Sequence, residues 1–265
     1  MTIAILVFLL IAAIYVALIL PRLINRADMT GLVEDYAHRG LHDENIPENS
    51  LAAFQKAVDN RIGIELDIQL SKDKIPMVFH DATLKRVCGI DAKLCEYTAE
   101  ELGKIKLLGT DQTIPTFAEV LALVDGRVPL LVEFKHGSGE LCKIACDMLD
   151  NYNGAFCVES FDPTLLMRIK KYRPKYARGQ LVTNMFKTDF SKNPFLNFAL
   201  TFMLFNFLSR PDFIAFDKKL KGNLSVWFCR NVCRAPMFIW TIKSREEYEL
   251  GKQRSLSPIF EKFVP

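Results

Sequence analysis

The sequence predicts an α/β fold: a TIM (β/α)8 barrel preceded by one N-terminal transmembrane helix. Three observations predict it. Short apolar runs alternate with amphipathic helical runs over about 230 residues, from residue 35 onward. Repetition of this kind builds a parallel sheet, and 265 residues is a length at which such a sheet closes on itself. Ahead of the repeat, residues 3–20 form an unbroken apolar run of 18, and Arg22 is the first charged side chain.

That run is the first element. A helix crossing a bilayer needs about 20 apolar residues, flanks included. A secretory signal has a basic start, a shorter apolar core and a small-residue cleavage site. Here the start is uncharged, the core is long and Pro21-Arg22 follows directly. Residues 1–21 therefore read as an anchor, 22–34 as a linker and 35–265 as the barrel domain. Arg22 and Arg26 follow the anchor, and the positive-inside bias then puts the rest of this single-pass chain in the cytoplasm.

Strands are expected at 36–39, 64–70, 76–80, 130–135, 156–161, 179–182, 213–216, 238–242 and 258–260. Helices are expected at 51–60, 117–124, 140–149, 163–172, 224–233 and 245–252. Nine strand-like runs compete for eight barrel places. Those at 65–70 and 76–80 lie too close for a crossover helix, which takes about a dozen residues, so one should be a hairpin arm or an irregular barrel strand. The segment from Phe195 through Leu208 (FLNFALTFMLFNFL) has only Asn197, Thr201 and Asn206 as polar members. It is too short to span a bilayer and too apolar for an ordinary surface helix. It reads as a helix packed on the barrel or as a second contact with membrane lipid, flanked by Lys187, Lys192, Arg210, Lys218, Lys219 and Lys221.

A net charge of +3 gives no sign of nucleic-acid binding. The charge is unevenly spread: residues 31–160 carry 13 Lys and Arg against 22 Asp and Glu, and residues 161–265 carry 19 against 8. The acidic part suits a cation and the basic part suits phosphate or anionic lipid. Seven cysteines, an odd number without a compact framework, argue against a disulfide-stapled fold and favour a reducing compartment. The pairs Cys142/Cys146 and Cys229/Cys233 have helical spacing but no histidine nearby, which favours buried thiols over a metal site.

The chemistry concentrates at strand ends. Tyr36-Ala37-His38-Arg39-Gly40 puts an imidazole and a guanidinium after a short strand, with Glu48-Asn49-Ser50 close behind. Glu65-Leu66-Asp67 places two carboxylates on one face of a strand whose other face is apolar. Adjacent carboxylates resist burial unless a cation neutralises them, and an all-oxygen set suits Mg²⁺ or Ca²⁺. Glu133-Phe134-Lys135 repeats the pattern at the end of another buried run, and His80-Asp81 ends a third. His42 and His136 fall just past strands and read as loop residues. Strand C-termini of a barrel share one rim, so these groups would meet there. Two imidazoles for proton transfer, three carboxylates for a cation, and Arg and Lys for oxyanions specify metal-assisted chemistry at a phosphoryl centre.

These stretches, together with Ser160-Phe161-Asp162 and Trp240-Thr241, resemble in order and separation the glycerophosphodiester phosphodiesterase family. The likeness runs from about residue 35 to the C-terminus. It implies a TIM barrel of the phospholipase C-like phosphodiesterase type that cleaves glycerophosphodiesters to glycerol 3-phosphate and an alcohol with a divalent cation. It further implies Glu65, Asp67 and Glu133 as metal ligands, His38 and His80 as the acid/base pair, and Arg39 and Lys135 as phosphate holders. Phe161 and Trp240 would wall the glycerol pocket, with Glu48 and Asn49 supporting from behind. The chain departs from the family at its last strand, where 258–261 lacks the usual Thr-Asp pair, so closure of the barrel is the feature least specified. A lysophospholipase D acting at the bilayer is the alternative substrate reading, and a non-catalytic lipid-binding barrel is the alternative class.

Overall fold

Each apolar run forms its strand in the computed structural model, which describes residues 1–135, 139–188, 190–220 and 222–265. His136 and Lys221 lie outside the described residues. The strands are β1 (Tyr36–Ala37), β2 (Gly63–Leu70), β3 (Pro76–Val78), β4 (Leu130–Phe134), β5 (Phe156–Ser160), β6 (Arg178–Val182), β7 (Phe213–Asp217), β8 (Met237–Ile242) and β9 (Ser257–Phe260). The helices up to β4 are α1 (Thr2–Ile19), α2 (Leu51–Asp59), α3 (Lys85–Cys88), α4 (Ala99–Leu102) and α5 (Phe117–Val124). Then follow α6 (Gly139–Asp150), α7 (Pro163–Tyr172), α8 (Pro194–Thr201), α9 (Asn206–Ser209), α10 (Leu224–Asn231) and α11 (Arg245–Gln253).

Eight strands run parallel in the order β1-β9-β8-β7-β6-β5-β4-β2, and pairing of β1 with β2 closes the ring. The ninth is the hairpin arm: β3 lies antiparallel on β2, with Ile68 opposite Val78. The final strand closes the barrel despite its unusual sequence, because Tyr36 registers with Ile259 and Ala37 with Phe260.

Strand side chains alternate between two apolar layers. Tyr36, Leu131, Cys157, Phe213, Phe238 and Ile259 fill the interior of the ring. Ile64, Leu66, Ile68, Val132 and Phe134 point outward against Phe54, Phe117, Leu141 and Leu165 of the helices. Each buried large side chain contributes on the order of 1.5–3 kcal/mol. Gly179 shows how tightly the interior is filled: a Cβ there would lie 2.0 Å from the ring of Phe213.

Residues 22–34 cross the barrel floor. The Arg22 N–H donates to the Pro211 carbonyl at 2.8 Å and the Ala27 N–H to Asp212 at 2.9 Å. Arg26 donates to the carbonyls of Cys233 and Arg234 at 2.6 and 3.0 Å, and Leu32 joins the interior layer. Of α1, only Ile19 is buried. In the 195–208 segment, polar side chains turn inward and several aromatics turn outward. Asn206 donates to the Ile19 carbonyl at 2.9 Å and Thr201 accepts from the Met185 N–H at 3.0 Å, whereas Phe195, Phe198 and Phe207 are exposed.

Candidate active site

After β1 the His38 N–H donates to the Phe260 carbonyl at 2.8 Å, continuing the ladder for one more residue. The chain then turns sharply through two left-handed residues, Arg39 (φ 56°) and Gly40 (φ 79°). Gly40 is required twice over, because a Cβ would also meet Ala53 and Phe54 of α2 at 2.9 Å. This turn aims the Arg39 N–H at Glu65 at 2.8 Å. Ser50 caps α2 by accepting from the Ala53 N–H, and the residue before it, Asn49, is left-handed as well (φ 53°). Asn49 donates its N–H to the Arg39 carbonyl and its amide to Asp67, both at 2.8 Å.

The parallel register then builds a wall of carboxylates. Asp67 of β2 lies beside Glu133 of β4, which lies beside Glu159 of β5, and Glu65 sits two residues before Asp67 on the same face. All four are buried, and oxygens of Glu65, Asp67 and Glu133 lie within 4.8 Å of one another. Lys135 bridges Asp67 at 2.9 Å and Glu133 at 2.8 Å. Arg39 Nε lies 3.6 Å from Asp67, and its guanidinium pairs with Glu48 at 2.6 Å.

The electrostatics divide the wall. Burial opposes the Asp67 charge, yet Lys135, His80 and Arg39 outweigh it and hold that carboxyl well below its usual range. Burial, then the charges of Asp67 and Glu133, pushes Glu65 well up. Burial likewise raises Glu133 against the pull of Lys135, and raises Glu159 well up with help from Glu65 and Glu133. Among the described residues, four carboxylates face two cations here, and Glu159 Oε2 has no hydrogen-bond partner. An oxygen-only donor set with surplus negative charge fits a hard divalent cation such as Mg²⁺ or Ca²⁺.

Each imidazole leans on a carboxylate. His38 Nδ1 lies 2.9 Å from Glu261, and His80 Nδ1 lies 2.6 Å from Asp81. That pairing assigns Nδ1 the proton and leaves Nε2 for proton transfer. Burial lowers His38 to about 4 despite the Glu261 hydrogen bond, so its ring is neutral at pH 7. Arg86 ties the two arms together: it donates to Asp81 at 2.6 and 3.1 Å and to both oxygens of Glu48 at 2.7 and 2.8 Å.

A cavity of about 90 Å³ is lined by His38, Arg39, Glu65, His80, Glu133 and Glu159, with Phe161 and Trp240 among its apolar walls. Phe161 and Trp240 meet edge to face at 5.7 Å. A wider groove of about 610 Å³ adjoins it at His80, Glu133 and Phe161, and continues past Phe134, Lys135, Met185 and Phe190. The structure therefore brings together all eleven residues expected at the site, with Glu48 and Asn49 bonded to Arg39 and Asp67 from behind.

Sequence reasoning missed three neighbours. Glu159 was legible, since it follows Cys157 and Val158 on the same inward alternation as Glu133. Glu261 and Arg86 had no signal, because each acts only through residues distant in the chain. His42 lies in a loop, as expected, but is buried there, 7% exposed and 3.9 Å from Glu261. All seven cysteines are free, and burial pushes the Cys142 and Cys146 thiols up to about 11 and about 12, so both are protonated at pH 7.

A model of the glycerophosphoryl diester phosphodiesterase family matches residues 38–227, from the first catalytic candidate into α10. The chain belongs to this family. A glycerophosphodiester phosphodiesterase from Caldanaerobacter subterraneus subsp. tengcongensis is 33% identical over 162 residues, covering 55% of this chain and 65% of the relative. Human glycerophosphodiester phosphodiesterase 1 is 38% identical over 96 residues, covering 32% and 28%. A human lysophospholipase D is 34% identical over 138 residues, covering 46% and 42%. The matched region thus spans less than two thirds of each of these relatives. Among solved family structures, the Thermotoga maritima glycerophosphodiester phosphodiesterase superposes with TM-score 0.66 at 26% identity, covering 86% of this chain and 94% of the other. The barrel is shared too with an Oleispira antarctica phosphodiesterase solved with sn-glycerol-3-phosphate (TM-score 0.71, 21% identity, 86% and 92% covered).

Proposed function

We propose that this chain hydrolyses glycerophosphodiesters to glycerol 3-phosphate and an alcohol, at the mouth of the barrel and within reach of a membrane. One observation carries the reading. Two imidazoles, each backed by a carboxylate, line a single cavity with a buried carboxylate wall and a paired arginine, in a chain of this family.

The roles follow from position. One of His38 and His80 takes the proton of the glycerol 2-hydroxyl as its oxygen attacks phosphorus. The other gives a proton to the departing alkoxide, so that the alcohol leaves neutral and a cyclic phosphate remains. Water then adds with the two roles reversed and opens the ring to glycerol 3-phosphate. Arg39 and Lys135 hold phosphoryl oxygens, which lets Arg39 trade contact with Asp67 for contact with substrate. Phe161 and Trp240 pack against the glycerol carbons, and the Trp240 indole N–H, unpaired among the described residues, is available to a substrate oxygen. Glu65, Asp67 and Glu133 would hold a divalent cation, Mg²⁺ or Ca²⁺, which when bound neutralises the wall and polarises the phosphoryl group. The apolar α1 serves as a single membrane anchor, with the barrel on the cytoplasmic side.

A second reading, lysophospholipase D activity, is favoured by the groove of about 610 Å³ beside the small cavity, whose walls at Phe134, Phe161, Met185 and Phe190 suit apolar substrate. The test is ³¹P NMR of products from glycerophosphocholine and from lysophosphatidylcholine. The leading reading predicts glycerol 3-phosphate from the first at the higher rate. Faster turnover of the lysolipid would transfer the conclusion to the second reading, and formation of neither glycerol 3-phosphate nor lysophosphatidic acid would end both.

A further inference from the structure

We infer that the barrel docks mouth-first on the bilayer, with the rim formed by α8 and the start of α10 immersed in lipid. The inference rests on the reading of α1 as a membrane anchor and adds the direction in which the active site faces.

The contacts of α1 set that direction. Arg22 bonds Pro211 and Asp212, which immediately precede β7 on the barrel floor. Moving back along the chain, the Leu20 carbonyl accepts from Arg210 at 3.1 Å and the Ile19 carbonyl from Asn206 at 2.9 Å. Tyr15 then reaches Ser225 at 2.6 Å. Ser225 lies in the first turn of α10, the helix that follows β7, and so it sits towards the strand C-termini where the active site lies. The helix therefore climbs the barrel wall from floor to mouth. Residues 2–14 continue beyond Tyr15 for about 20 Å, on the mouth side.

Length decides how deep the rim must go. The 18 residues of α1 rise about 27 Å, whereas a hydrocarbon core is about 30 Å thick. Residues 15–19, packed on the barrel, are thus needed to complete the span, and the protein surface beside them must lie at lipid depth. Exposed apolar side chains lie on the helix that Tyr15 touches and on the one beside it: Leu224 and Trp227 on α10, whose Ser225 bonds the Phe202 carbonyl at the end of α8, and Phe195, 84% exposed, with Phe198 on α8 itself. Asn197 and Asn223 meanwhile turn inward to the carbonyls of Ser191 and Thr201. A segment with amides inside and aromatic rings outside is inverted for water and correct for lipid. Lys187 and Lys192 precede it, placed to meet lipid phosphates. The occupant is a lipid surface because the same face carries the anchor. The groove is walled in part by Met185, whose N–H bonds Thr201 of α8, so it runs beside this rim and substrate would enter from the bilayer.

Trp227 and Trp240 are the two tryptophans of the chain. In a Trp227→Phe/Trp240→Phe background of the full chain, a single tryptophan is placed on the rim (Phe195→Trp) or on the floor at the end of α7 (Tyr172→Trp). Each protein is reconstituted in vesicles whose lipids carry bromine on the acyl chains. The rim reporter should be quenched at least threefold more than the floor reporter. Equal quenching, stronger quenching of the floor, or none in a carbonate-resistant membrane protein would overturn the docking geometry. Release by alkaline carbonate would instead overturn the anchor itself, and the docking with it. Native Trp227 in a Trp240→Phe chain repeats the rim measurement should Phe195→Trp fail to fold.

Discussion

Arg86 stands half-exposed at the rim and itself lines neither the small cavity nor the wider groove, yet it grips the carboxylates behind both His80 and Arg39. Its paired donors reach Glu48 and Asp81 together, a geometry that a lysine ammonium cannot reproduce. Arg86→Ala should lower kcat/KM for glycerophosphocholine by roughly tenfold to a hundredfold, the scale set by misplacing catalytic groups. Arg86→Lys should recover only part of it. Full recovery with lysine would mean that charge alone matters at this position. Residue by residue, the site was legible where one side chain both declares its chemistry and sits on the alternation of a strand. Asp67 and Glu133 meet that condition, and their neighbouring register makes them adjacent. Glu261 does not, because nothing local marks a carboxylate that meets His38 across the closure of the barrel.

At the scale of elements, α2 does more than cover the sheet. Ser50 caps it, and the preceding Asn49 holds the turn that presents Arg39 by donating its N–H to the Arg39 carbonyl. The Ser50 hydroxyl accepts from the Ala53 N–H and donates to the Pro47 carbonyl at 2.7 Å, both buried. Ser50→Ala should therefore cost about 1–2 kcal/mol in urea unfolding. A cost near zero would show that the cap does not hold this turn. The strands were legible from their apolar runs, and the short gap between 70 and 76 left a hairpin arm or an irregular barrel strand, of which β3, antiparallel on β2, is the former. The 195–208 segment was legible only in composition. Its break into α8 and α9, with the polar residues inward, depends on the Ile19 carbonyl of α1 and on the Met185 N–H and Ser191 carbonyl after β6.

On the scale of the whole molecule, one end of the barrel concentrates like charge that the fold alone does not neutralise. Glu65, Glu133 and Glu159 have folded values raised above the ordinary 4.5. Their contribution to stability is fully present below that value and is lost as pH rises through the raised values. Asp67, depressed from 3.8, has the opposite sign and loses its contribution only in acid. A divalent cation competes with the protons on the raised groups, so it binds better as pH rises. Added Mg²⁺ or Ca²⁺ should raise the Tm more at pH 8 than at pH 5.5, by several degrees in differential scanning fluorimetry. An equal rise at both values would mean that the cation displaces no protons from raised carboxyls.

The most direct test of the account is glycerol 3-phosphate release from glycerophosphocholine by the full chain in vesicles with saturating divalent cation, compared with His38→Ala and His80→Ala. Both imidazoles are placed in one cavity as partners in proton transfer. Each substitution should cut kcat by about 10²–10⁴ while leaving the Tm gain from the cation in place. Turnover that survives in either variant at more than about a tenth of the parent rate would contradict the assignment of that histidine, a far smaller loss than acid–base catalysis supplies.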